Sequence, residues 1–144
     1  MILVSACLCG VHCRYDGAAK TDEEIARLVR EGKALPVCPE QLGGLPVPRL
    51  PAEIQSGDGE AVLLGLARVR NKEGADVTQE FVRGAEETLL IARLSGAERA
   101  ILKANSPSCG CGAIYDGTFS GAKRAGDGVA AALLRRRGVD VEAR

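Results

Sequence analysis

The sequence predicts an α/β fold: one domain over residues 1–144, Rossmann-like and three-layered, with a small, mainly parallel sheet and an inserted loop or hairpin. Three observations point there. Short apolar runs at 2–6, 34–38 and 99–103 have the length of strands rather than helices. Segments of helical periodicity separate them, and such alternation implies parallel strands joined by right-handed crossovers. Each run also leads into a cysteine-bearing segment, at Cys7, Cys38 and Cys109. Sites in parallel sheets lie outside the carboxyl ends of the strands. The three segments are therefore expected to converge, although they are far apart in sequence.

Ile2-Leu3-Val4 opens the first strand. It runs into Ser5-Ala6-Cys7-Leu8-Cys9-Gly10-Val11-His12-Cys13, which holds three of the six cysteines and the single histidine. Arg14-Tyr15-Asp16-Gly17 carries an Asp-Gly turn. Thr21-Asp22-Glu23-Glu24 reads as a capping box with Thr21 as the cap, so a helix is expected over about 22–31. Ile25, Leu28 and Val29 form its apolar face, and Gly32 ends it. Residues 39–51 read as a rigid connection rich in Pro and Gly, with a polyproline ligand as the lesser reading. Residues 61–69 read as a strand that, with a turn at 72–76, makes a small hairpin ending near Val77. The longest helix is expected from Thr78 to about Leu94, with Phe81, Ala85, Leu89 and Ala92 on one face. Gly84 inside it costs about 1 kcal/mol against alanine, which implies close packing there. Residues 113–115 read as a short strand, 117–126 as a glycine-rich loop, and 139–141 as a last strand. Asp127 is expected to cap a helix reaching Arg137.

Lys plus Arg and Asp plus Glu number 19 each, so the net charge is zero. No basic excess argues for phosphate-dominated nucleic-acid binding. Aromatic residues make up 3% and tryptophan is absent, which is too little for a base-stacking platform. No apolar run approaches the ~20 residues of a membrane span. The N-terminus lacks the pattern of a signal peptide, and the cytoplasm is the expected location. In that reducing compartment, six cysteines are expected as ligands or reactive thiols rather than as disulfides.

The C-x-C spacings at Cys7/Cys9 and Cys109/Cys111, with a single Cys38, do not match the paired C-x2-C knuckles of structural zinc sites. No C-x-x-C redox pair is present. One cysteine from each of three strand ends leaves a coordination position open, as a catalytic centre needs. Glu40, two residues past Cys38, is placed to act as a base. Ser106 and Ser108 flank Pro107 before Cys109 and can supply hydroxyls. His12 reads as a surface or neighbouring group rather than a ligand.

Seven motifs in order, Ser5-Ala6-Cys7-Leu8, Arg14-Tyr15-Asp16-Gly17, Cys38-Pro39-Glu40, Pro48-Arg49-Leu50-Pro51-Ala52-Glu53-Ile54, Asp76-Val77-Thr78, Ser106-Pro107-Ser108-Cys109-Gly110 and Tyr115-Asp116-Gly117-Thr118-Phe119-Ser120-Gly121, span nearly the whole chain. Together they resemble the thiouracil desulfurase (TudS-like) family. The resemblance implies a [4Fe–4S] cluster held by Cys7, Cys38 and Cys109, with one iron free for the sulfur of a thiocarbonyl. It implies a non-redox reaction in which water replaces sulfur on a thiolated pyrimidine, 2-thiouracil or a related base or nucleotide. Glu40 would activate the water, and Ser106, with Ser108 as second candidate, would orient the base or donate to the intermediate. Arg14 and Asp16 are expected to fix their loop, and Arg49 to form a salt bridge. The chain departs from the family pattern at Cys9, where leucine is common, and at Cys111; Cys13 occurs in some members only. These three thiols are substitute ligands, neighbours of the cluster, or buried cysteines without a role in it.

Two rival readings stand beside this one. The first is a metal- or iron–sulfur-binding module without catalysis. The second is a desulfurase acting on thiolated tRNA, which the balanced charge weakens.

Overall fold

In a computed structural model describing residues 1–144, the chain runs in order through β1 (Ile2–Ser5), a 3₁₀ turn (Ala6–Cys9), α1 (Glu23–Arg30), β2 (Ala34–Val37), α2 (Pro39–Leu42), β3 (Ala52–Gln55), α3 (Gly59–Leu63), β4 (Arg68–Asn71), α4 (Thr78–Ser95), β5 (Arg99–Leu102), β6 (Ala113–Tyr115), β7 (Lys123–Ala125), α5 (Val129–Arg136) and β8 (Asp140–Ala143). The main sheet has the order β2-β1-β5-β8, and every neighbouring pair is parallel. Successive side chains on a strand face opposite ways. Accordingly Leu3 and Ala100 join the larger core with α4 and α5, while Val4 and Ile101 join a smaller core with Ile25 of α1. Helices thus cover both faces of the sheet, as the α/β reading requires.

The register carries the thiols. β1 aligns Ser5 with Val37 of β2 and Val4 with Ile101 of β5. Three neighbouring strands therefore end level, and the chain leaving each end carries Cys7, Cys38 or Cys109. The buried Ser5 hydroxyl accepts the Lys103 backbone N–H at 2.8 Å and ties the ends of β1 and β5 together.

Several sequence expectations are corrected. Residues 61–69 are not a strand. Asp58 caps α3 by accepting the Ala61 N–H, and only Arg68–Asn71 is extended, paired antiparallel with β3. A five-residue helix is too short to display a period, so its apolar run looked like a buried strand. The turn at 72–76 does fold back, through a bridge between Arg70 and Asp76. The 39–51 connection begins with α2, and the 117–126 loop contains β7, which pairs with β6. Asp22, not Thr21, caps α1 by accepting from the Glu24 and Ile25 N–H groups. Gly128 rather than Asp127 precedes α5. The Asp127 carboxylate instead accepts the Gly112 N–H and pairs with Arg135.

Gly84 does mark close packing. A Cβ there would stand 2.0 Å from the Pro39 carbonyl oxygen, and one on Gly43 would stand 1.9 Å from that of Glu80. The two glycines let α2 and α4 touch backbone to backbone. Gly84→Ala is expected to destabilise the fold by about 1–3 kcal/mol, the range for overpacking a tight contact. Thermal unfolding reads this directly, and an unchanged midpoint would show that the helices separate freely.

Candidate active site

A cavity of about 560 Å³ opens at the carboxyl ends of β2, β1 and β5. Cys7, Cys13, Cys38, Cys109, Glu40 and Ser106 all line it. The opposite side is built from the inserted segments, including Leu50, Glu53, Lys72 and Phe119. The sheet topology thus converges the three strand-end thiols as expected. Cys9, His12, Cys111 and Ser108 do not line the cavity. Cys9 faces the Ser5 carbonyl at 3.9 Å. Cys111 lies against the Val141 carbonyl, with Arg135 beside it. Ser108 is fully buried behind Cys109, its hydroxyl without a partner.

Cys13 is the addition that spacing did not reveal. Its thiol lies within hydrogen-bonding reach of both Cys7 and Cys38. The contact with Cys38, and after it the contact with Cys7, raises the Cys13 pKa. That hydrogen bonding holds the Cys7 and Cys38 thiols below the ordinary thiol range. Full burial pushes Cys109 well up. No three His, Cys, Asp or Glu side chains close around a point as a single bound ion requires. Cys7, Cys13, Cys38 and Cys109 share the lining of one cavity.

Glu40 enters on the first turn of α2, immediately after Cys38. Its carboxylate accepts from the Cys38 thiol at 3.4 Å and from Arg49 at 3.1 Å. The two side chains of the ion pair are only 13% and 9% exposed. Arg49 also donates to the Pro46 and Cys13 carbonyls. The expected salt bridge is present, and it lies in the cavity wall. A buried pair of this kind needs such extra hydrogen bonds to offset desolvation. Arg14 pairs with Asp16 at 3.5 Å, and the Arg49 N–H donates to the Tyr15 carbonyl at 2.8 Å. The Arg14–Gly17 turn is thereby fastened to the loop that supplies Arg49.

The Ser106 hydroxyl oxygen accepts the Cys109 N–H at 2.7 Å and the Ser108 N–H at 3.3 Å. It shapes the turn that presents Cys109 while facing the cavity. Glu53 is buried, and its carboxylate accepts the Gly117 and Phe119 N–H groups at 2.9 and 3.2 Å. It hangs the 116–121 loop over the cavity, with Phe119 held at a positive φ of 55°. Sequence reasoning assigned Glu53 no role, because a carboxylate bonding backbone amides more than sixty residues away leaves no local pattern. Lys103, half-buried, also lines the cavity. Burial and nearby Lys20 push its pKa down, while the Cys7 and Cys109 sulfurs pull the other way.

Comparison with known proteins identifies the family. The family profile described as 2-thiouracil desulfurase matches residues 2–144. An uncharacterised Bacillus subtilis (strain 168) protein, YbbK, is 53% identical over 141 residues, covering 98% of this chain and 93% of its own. A solved structure of a [4Fe–4S]-dependent thiouracil desulfidase, TudS, superposes with a TM-score of 0.87 at 47% identity, over 99% of this chain and 89% of that one. The chain belongs to the 2-thiouracil desulfurase family.

Proposed function

We propose that this protein is a [4Fe–4S]-dependent desulfidase that exchanges the sulfur of a thiolated pyrimidine for oxygen without redox change. The observation that carries the reading is the convergence of Cys7, Cys38 and Cys109 on one cavity wall with a buried carboxylate beside them. The donor set fits the cluster: three thiols that line one cavity, carried there by strands in register, are soft ligands for iron. When bound, the cluster supplies a thiophilic, Lewis-acidic iron at its unligated corner.

The remaining steps belong to the chain. The apolar part of the cavity, with Phe81, Phe119 and Leu50, takes the flat pyrimidine ring. Glu40 accepts a proton from the attacking water and later returns it to the departing sulfur. Overall, the thiocarbonyl and one water become a carbonyl, a hydrosulfide anion and a proton that Glu40 passes to solvent, with no electrons gained or lost. Arg49 holds the Glu40 carboxylate toward the cavity and shields it from bulk water. Ser106 directs its hydroxyl proton at the oxygen that develops on the ring carbon.

Anaerobic purification with iron and acid-labile sulfide analysis tests the reading, followed by incubation with 2-thiouracil. Iron, sulfide and brown colour are expected, with sulfide and uracil released together. A colourless protein holding one tightly bound zinc would overturn it.

A further inference from the structure

The proposed reaction leaves a hydrosulfide anion in a cavity already lined by thiols and a carboxylate, and that charge needs a partner. Four cationic side chains line the cavity: Arg14, Arg49, Lys72 and Lys103. Arg49 is committed to Glu40 at 3.1 Å, and Arg14 pairs with Asp16 at 3.5 Å. Lys72 is exposed on the inserted side, away from the strand ends. Lys103 differs from all three. It is half-buried and pairs with no carboxylate, its ammonium donating only to the Ala104 carbonyl at 3.0 Å. Its backbone N–H is fixed by the Ser5 hydroxyl. Lys103 thus stands just past the end of β5, on the cavity that Cys7 and Cys109 also line.

We infer that Lys103 is the residue that holds anionic sulfur in this site: its ammonium faces the hydrosulfide released from the thiocarbonyl and offsets its charge beside the thiolates. The inference rests on the desulfidase reading and adds a residue to it. A cation in a shielded site interacts with an anion far more strongly than an exposed one does. Lys103 contacts product rather than moving a proton, so its loss weakens sulfide binding without removing the base.

The test uses reconstituted holoenzyme of the wild type, K103M and K103R, with iron content measured first. Sodium hydrosulfide is titrated anaerobically while the visible absorption of the cluster is followed. K103M is expected to keep its iron and bind hydrosulfide at least about 10-fold more weakly, the loss typical of one charge-assisted hydrogen bond. K103R is expected within about 3-fold of the wild type, because it restores the charge. If K103M fails to hold iron, K103Q carries the same comparison. Equal hydrosulfide affinity in wild type and K103M overturns the role, as does a K103R no better than K103M. A wild-type holoenzyme that releases no sulfide from 2-thiouracil overturns instead the reading beneath it.

Discussion

Glu40→Ala is expected to lower sulfide release from 2-thiouracil by about 10²–10⁴-fold, the usual contribution of a positioned general base, while iron and acid-labile sulfide stay at wild-type levels. The two readouts separate because Glu40 touches Cys38 but is not in the thiol set. The substitution also strands Arg49, whose side chain is 9% exposed. Removing one partner of a buried pair typically costs about 3–5 kcal/mol. The cost falls toward the lower end here, because Arg49 keeps its bonds to the Pro46 and Cys13 carbonyls. Glu40→Gln retains an acceptor for Arg49 and restores part of that stability without restoring a base. Thermal unfolding and turnover together should therefore rank wild type, Gln and Ala differently. Unchanged sulfide release by both variants would remove Glu40 from the chemistry and leave it a purely structural partner of Arg49.

The thiol series has the second large effect. Cys7→Ala, Cys38→Ala and Cys109→Ala are each expected to lose most bound iron and all turnover. Cys9→Ala and Cys111→Ala should leave both unchanged, because neither side chain lines the cavity. Cys13→Ala is the discriminating member. Its thiol lies close to Cys7 and Cys38, yet it hangs on the loop after the 3₁₀ turn rather than on a strand end. It should keep iron and release it faster to a chelator than wild type does. A Cys13→Ala protein without iron, alongside a Cys109→Ala protein that retains it, would reassign the third ligand.

Much of this was legible because the relevant strands are apolar and end in an uncommon residue type. Val4, Val37 and Ile101 mark buried strands by run length alone, and a cysteine-bearing segment follows each strand, directly after β1 and β2 and through the turn at 105–108 after β5. The long helix α4 was legible from Phe81, Ala85, Leu89 and Ala92, since about five turns display a period clearly. The inserted wall was not. β3 and β7 are short, and Glu53, Arg124 and Lys123 give them no apolar signature. They form because distant partners complete them: β3 against β4, and the β6–β7 pair beside the loop that Glu53 holds. The proximity of Cys13 to Cys7 and Cys38 was hidden for a related reason. It depends on the loop that returns across the end of the sheet, not on spacing along a strand.

The cavity draws its two sides from different kinds of chain. The thiols stand on ends of a parallel sheet whose register permits no adjustment, since one residue of slip would turn every side chain over. Facing them, the surface proposed to take the ring comes from Phe81 of α4, Leu50 of the 39–51 connection and Phe119 of the loop that Glu53 and Gln55 tether. Reactivity and selectivity are therefore inherited separately. Substitutions at Leu50, Lys72 or Phe119 can redraw which thiolated ring enters while the metal-facing half stays as it is. Relatives that share the three strand-end cysteines would then diverge in substrate before they diverge in chemistry.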